Sequence, residues 1–326
     1  MVGTAEKEQR CIVGLDAKER KRLYRAVNSG KLISPFPQLY VRLDYWAEQD
    51  ETSRATHMMR ALQLLHPDWV FAGPSAGIAW GLWVSYKHYW PLRIVKTRGA
   101  QTRNGLVYRQ LVADDVPTEC DGIRVTSLKQ TVIDCLREMD FACGLAVADS
   151  VLRMHGWSRR ELVAAIEAMH HGCAGYQHAL ATAPFADARS ESGGESIMRA
   201  RLLQFGYKLP DLQVVVKNTF EGITYRGDVG WKLADDTWLL GELDGKDKYV
   251  NPIYTGGLDV VDLMRKECLR ESRVSADGTR VMRLSFADVM NDDSFTYLLD
   301  LYGVPKALQP LYASTAQRYR PAGLEG

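Results

Sequence analysis

The sequence predicts a multidomain chain of the α+β / α/β class, and three observations lead there. Segments whose apolar residues lie three and four apart alternate with segments where they recur every second residue, the marks of helices and strands. Residues 171–192, rich in Gly, Ala and Ser and containing Pro184, lose both periods and read as a linker. Beyond them the order helix, three strands, helix, strand describes a mixed sheet covered by helices. At 326 residues the chain is long enough for two or three domains. The segments are placed at 1–50, 51–180 and 187–310, with a loosely ordered tail over 311–326.

In the first segment, Ala17 to Val27 is expected to be helical, with Leu23 and Val27 on one face and Asn28-Ser29-Gly30 as the stop. Lys31 to Arg42 reads as extended, broken at Pro35 and Pro37. Helix, short turn and hairpin-like piece form the outline of a winged-helix module. Lys18, Arg20, Lys21, Arg22 and Arg25 decorate its helix, and Arg22 and Arg25 are the candidate DNA contacts. An amphipathic packing helix with a charged outer face has the same pattern.

The second segment is a mixed α/β region. It opens with a helix over Ser53 to Leu65 and a small-residue helix over Pro74 to Gly81 that allows close packing. Strands are expected at Leu92–Thr97, Leu106–Val112 and Gly122–Thr126, and Thr126 or Ser127 is placed to cap the helix that follows. Helices over Phe141–Met154 and Ser158–Met169 complete it. Trp80, Trp83, Tyr86, Tyr89 and Trp90 offer surfaces for base stacking, but their helical spacing favours a core role.

The third segment predicts a helix at Gly194–Phe205, strands at Leu212–Lys217, Thr224–Lys232 and Thr237–Gly245, a helix at Leu258–Arg273, a strand at Arg280–Leu284 and a helix from Phe286. The connections Asn218–Gly222 and Leu233–Asp236 suit hairpins.

Composition narrows the function. Apolar residues make up 46% and charged residues 25%, as in ordinary globular proteins. No apolar stretch approaches the length that spans a bilayer, and the polar N-terminus lacks a signal core, so a cytoplasmic protein with no membrane partner is expected. The six cysteines are scattered with no Cys-x-x-Cys pair, which favours reduced thiols. Net charge is +1, yet no acidic residue falls between Asp68 and Asp114, where Lys87, Arg93, Lys96, Arg98, Arg103 and Arg109 lie. That interval either attracts phosphate or is a solvated basic edge. No Gly-x-x-x-x-Gly-Lys-Ser/Thr loop is present, and serine-hydrolase chemistry is not expected.

The chemistry concentrates in Tyr225-Arg226-Gly227-Asp228 and Gly241-Glu242-Leu243-Asp244-Gly245-Lys246-Asp247-Lys248-Tyr249. Residues two apart in a strand share a face, so Glu242, Asp244 and Lys246 are expected to project together, with Leu239, Gly241 and Leu243 opposite. Clustered carboxylates repel one another and resist desolvation unless a cation or proton offsets them. A divalent metal is the natural occupant. A lysine beside it suits a reaction whose transition state gains negative charge, such as phosphodiester hydrolysis. A solvated ion-pair ladder on an edge strand is the alternative.

These residues, in this order, resemble the PD-(D/E)XK nuclease-like superfamily, and within it the DUF559 group related to very-short-patch repair endonucleases. Arg189-Ser190-Glu191-Ser192-Gly193-Gly194-Glu195-Ser196 with Arg199 resembles the family's Ser-rich lead-in to a glutamate-bearing first helix. Tyr225 to Asp228 resembles its second-strand aspartate motif, and Glu242 to Tyr249 its acid-rich signature. Glu267, Arg270, Glu271 and Gly278 to Arg283 resemble the next helix and the closing strand. The resemblance implies an αβββαβ domain in which Asp228 and Glu242 bind Mg²⁺ or Mn²⁺ and Asp244 serves a second ion or orients water. Glu195 would act as an outer ligand or orienting group, and Arg199 and Arg270 as phosphate contacts. The usual signature has lysine two residues after the acid, where Asp244 stands here. Two registers therefore remain: Lys248 as the cation with Glu242 and Asp244, or Lys246 within Asp244-Gly245-Lys246. The family signature favours Lys248, which a bend at Gly245 would bring inward.

The first half more loosely resembles AbiEi-type type IV antitoxin regulators. The likeness rests on the winged-helix outline, Pro74-Ser75-Ala76 through Leu82, and Val125-Thr126-Ser127 through Asp134. That likeness implies promoter DNA as a partner and a cognate nucleotidyltransferase toxin as a second. Cutting both strands of a duplex needs two sites, so either a homodimer or two separate cleavage events is expected.

Overall fold

The computed structural model describes residues 1–96, 102–103, 106–110, 115–169, 171–217, 224–244 and 278–308, with single positions 269, 272 and 275. It is a mixed α/β protein that divides into two compact units, Met1–Met139 and Asp140–Gly326.

The first unit begins with α1 (Val2–Lys7), α2 (Ala17–Asn28), the antiparallel hairpin β1 (Ile33–Phe36) and β2 (Leu39–Val41), and α3 (Leu43–Ala47). Asp16 starts α2 by accepting the Glu19 N–H at 2.7 Å, and Gly30, at φ +72°, turns the chain out of it. Leu23 joins Ala5, Ile12 and Leu32 in a small core. Lys18, Arg20, Lys21, Arg22 and Arg25 stand exposed on the other side of α2. The helix and hairpin expected from sequence are both present.

Asp50 caps α4 (Glu51–Leu65), within which buried His57 lies 2.8 Å from the Tyr45 hydroxyl and 2.6 Å from the Ser53 carbonyl. The next helix, α5 (Gly73–Ala79), is buried along almost its whole length. A Cβ at Gly77 would stand 2.9 Å from Val84 Cγ2, which is the close packing expected of this small-residue run. Strand β3 (Leu92–Lys96) pairs parallel with β5 (Leu106–Gln110), and β4 (Thr102–Arg103) pairs antiparallel with β5. Hairpin β6 (Thr118–Cys120) and β7 (Ile123–Val125) leads to α6 (Leu128–Glu138), and of the two candidate caps Ser127 serves, accepting the Gln130 N–H at 3.1 Å. The aromatic run is divided: Tyr89 is core, Trp80 and Trp83 are half-buried, and Tyr86 and Trp90 are exposed.

The second unit opens with α7 (Phe141–His155) and α8 (Arg159–Glu167). The stretch expected as a linker instead forms α9 (Tyr176–Thr182) and a 3₁₀ turn, Ala183–Phe185, packed against α7 and α8. The buried residues of α9, Tyr176, His178, Ala179 and Thr182, mix polar with apolar side chains, so no apolar stripe marks the helix in the sequence. Then come α10 (Gly193–Gln204), β8 (Asp211–Lys217), β9 (Thr224–Lys232), β10 (Trp238–Asp244), β11 (Arg280–Ser285), α11 (Phe286–Met290) and α12 (Asp292–Tyr302). The sheet order is β11-β10-β9-β8, with β8, β9 and β10 antiparallel and β10 parallel to β11. The β9–β10 hairpin closes where Leu233 N–H meets the Thr237 carbonyl at 2.9 Å, with Asp236 at φ +63°. The expected helix at 258–273, the loop at 218–222 and the tail at 311–326 lie outside the described residues. Among the described residues no helix is long and apolar enough to cross a membrane.

Candidate active site

The site grows from the end of the β9–β10 ladder. Pairing runs Trp238↔Lys232 through Gly241↔Val229, and the next positions in register are Glu242 and Asp228. There Asp228 replaces a ladder acceptor: its Oδ2 takes the Leu243 N–H at 2.9 Å. Close approach of the strands depends on Gly241, where a Cβ would stand 2.7 Å from Val229 Cγ2.

Glu195 comes from the first turn of α10. Ser192 caps that helix, accepting the Glu195 N–H at 3.2 Å and donating to Glu195 Oε1 at 3.0 Å. Glu195 Oε2 accepts from the Glu191 N–H at 2.8 Å and from Gln213 Nε2 at 3.1 Å. Burial pushes the Glu195 carboxyl up to about 6, against the pull of the Glu191 N–H, and the negative charge of Asp228 adds to the rise. Glu191 is in turn held by Arg153 at 3.2 Å and by Arg226.

The second carboxylate pair is organised by an arginine. Glu242 lies opposite Arg283 in the parallel β10–β11 register. The two Nη atoms of Arg283 reach Glu242 Oε2 and Asp244 Oδ1, each at 3.5 Å. Glu242 and Asp244 thus share a face, as the alternation predicts. Leu243 points the other way, toward α10, where a Cβ on Gly194 would meet its Cδ2 at 2.8 Å. Glu195 thus lies within electrostatic reach of Asp228, Glu242 and Asp244 share Arg283, and Glu242 follows Asp228 in the β9–β10 register. No three of these four bring ligand oxygens within 4.8 Å of one another.

Two further residues belong to this arrangement and carried no role in the sequence reading. One is Arg283, whose two-carboxylate contact depends on a strand register invisible in the chain. The other is Gln213, between the β8 positions Leu212 and Val214 that pair with Val229 and Gly227. It adopts φ +54° inside β8, a conformation that costs a non-glycine residue about 1–3 kcal/mol and persists where surroundings impose it. Its Nε2 holds Glu195, while its Oε1 is buried without a hydrogen-bond partner. No sequence signal marks a left-handed glutamine within a strand.

The other expected contacts separate. Arg22 and Arg25 are exposed on α2. Arg199 is 4% exposed: its Nη2 lies 2.5 Å from Asp149 of α7 and its Nη1 donates to the Phe185 carbonyl at 2.7 Å. This corrects the expectation of a phosphate contact, because a guanidinium so committed is a packing clamp. Lys246, Lys248 and Arg270 lie outside the described residues. Arg93, from the basic interval, is paired with Glu138 at 3.5 Å.

Gly73-Pro74-Ser75-Ala76-Gly77 also spells the Gly-x-Ser-x-Gly sequence of a nucleophile elbow, a pattern that the expectation of no serine-hydrolase chemistry overlooked. Ser75 is fully buried and its Oγ accepts the Arg93 N–H at 2.9 Å, whereas an elbow serine is exposed. The run serves packing. No family model, curated protein or solved structure matches the chain.

Proposed function

We propose that residues 187–310 of the second unit are a metal-dependent, PD-(D/E)XK-like endonuclease domain that hydrolyses phosphodiester bonds, in a protein that binds DNA through α2 and acts against phage or foreign DNA. The observation that carries this reading is the juxtaposition of Asp228 and Glu242 at the end of the β9–β10 ladder, with the carboxyl of Glu195 beside Asp228.

The donor set fits a hard divalent cation. All four candidate side chains offer carboxylate oxygens, and Gln213 adds a buried amide oxygen without a partner. Mg²⁺ typically takes one or two carboxylates and completes its shell with water and substrate phosphate, so a pair of acids suffices. Asp228 and Glu242 would hold it, with Asp244 as ligand of a second ion or orienter of the attacking water. When bound, Mg²⁺ or Mn²⁺ supplies charge stabilisation at the phosphate and a more acidic water. Glu195, titrating at about 6, can take up and return a proton near neutral pH. Lys248, or Lys246 in the other register, would stabilise the negative charge that develops on the phosphate. The exposed cations of α2, Arg22 and Arg25 among them, would track the duplex backbone.

A second reading is a non-catalytic, AbiEi-like regulator or antitoxin that binds promoter DNA and a nucleotidyltransferase toxin. Its supporting observation is Arg283, which already offsets the charge of Glu242 and Asp244. Cleavage of plasmid and single-stranded DNA with Mg²⁺ or Mn²⁺, in the parent, Asp228→Ala and Glu242→Ala, separates the two. The nuclease reading expects cutting by the parent and a loss of about 100-fold or more in each variant. Duplex binding without cutting under either metal would favour the regulator.

A further inference from the structure

Arg283 stands where an added cation would have to work. Its side chain is about a quarter exposed, and its guanidinium spans two acids, touching each through a different nitrogen. That fork matches the oxygens of a carboxylate or a phosphate equally well. It is therefore held in part by a contact to Glu242 that a divalent cation there would weaken, and it has solvent into which to turn. We propose that Arg283 is the resident counter-ion of Glu242 and Asp244 and that it moves to a substrate phosphate when a divalent cation binds at Glu242. This inference rests on the nuclease reading. It gives Arg283 two consecutive partners of the same shape, and it makes metal and DNA binding mutually reinforcing, since each favours the turned-out guanidinium.

Competition sets the sign of the test. A resident cation must be displaced before a metal binds, so removing it should tighten metal binding even as it removes a phosphate contact. A merely structural arginine predicts the reverse or no change in metal affinity. The full-length protein, Arg283→Gln and Arg283→Lys would be titrated calorimetrically with MnCl₂ alone and assayed for Mn²⁺-dependent cleavage of plasmid DNA.

Arg283→Gln should bind Mn²⁺ roughly five- to tenfold more tightly, the equivalent of losing a partly exposed ion pair of roughly 1 kcal/mol, and should cleave more slowly. Arg283→Lys, which keeps the charge and is the gentler change to folding, should bind Mn²⁺ like the parent yet still cleave slowly for want of the planar fork. Unchanged or weaker Mn²⁺ binding in Arg283→Gln, with a parent that cuts, would overturn the counter-ion role and leave the nuclease reading standing. A parent that neither binds Mn²⁺ nor cuts would overturn both.

Discussion

Replacing Glu195 by Gln should stabilise the protein at alkaline pH and not at acid pH. The carboxyl is raised from 4.5 to about 6 in the folded state, chiefly because burial penalises its charge. Between those values the folded chain binds more protons at this group than the unfolded chain does. Stability therefore falls as pH rises through that window and stays lower above it. A shift of this size corresponds to about 2 kcal/mol. Glutamine carries no charge, so the variant escapes the loss. It keeps an oxygen to accept from the Glu191 N–H and the Gln213 amide, but its NH₂ must face Ser192 Oγ, so the expected gain at pH 8 is about 1 kcal/mol. Urea unfolding of parent and variant at pH 4.5 and pH 8 would measure it, pH 4.5 being the ordinary value of a glutamate carboxyl. Equal destabilisation at both pH values would refute the reasoning, because Glu195 would then be an ordinary cap residue with an unshifted carboxyl.

Other outcomes follow from the same structure. Arg199→Ala or Asp149→Ala should each cost about 3–5 kcal/mol in chemical denaturation, since each leaves a buried charge uncompensated; replacing both by Met and Leu should recover most of it. Gly241→Ala should cost about 1–3 kcal/mol by forcing its methyl into Val229, and a variant as stable as the parent would show that the two strands separate readily there. Arg22→Ala and Arg25→Ala should each weaken duplex binding and reduce the slope of log affinity against log salt by about 1, in gel shifts at several salt concentrations. An unchanged slope would remove α2 from the DNA interface.

Local signals carried much of the fold. The strand expected at Thr224–Lys232 has those bounds in the structure, and α2, α4, α7 and α10 fall within two residues of expectation, because caps and stops such as Asp16, Asp50, Asp140 and Ser192 act within one helical turn. The six-residue α1 escaped notice, since so short a helix is held by Ala5 packing on Ile12 and Leu23 rather than by its own pattern. Burial was less legible than secondary structure. Arg199 reads as one more surface cation on a helix, and only a partner fifty positions away, Asp149, makes it interior. Likewise the face shared by Glu242 and Asp244 followed from strand alternation, but their pairing with Arg283 required the parallel register of β10 on β11. Alternation also could not foretell that Leu243 packs toward α10 while Asp228 stands beside Glu195 of that helix.

The central claim is that Asp228 and Glu242 together hold a divalent cation. Crystals grown with Mn²⁺ would test it most directly, through an anomalous difference map. The account predicts a manganese peak bounded by oxygens of Asp228 and Glu242, with the guanidinium of Arg283 turned away from Glu242 and Asp244. A map with no peak there, in a protein saturated with Mn²⁺ and with Arg283 still bridging the two acids, would contradict it.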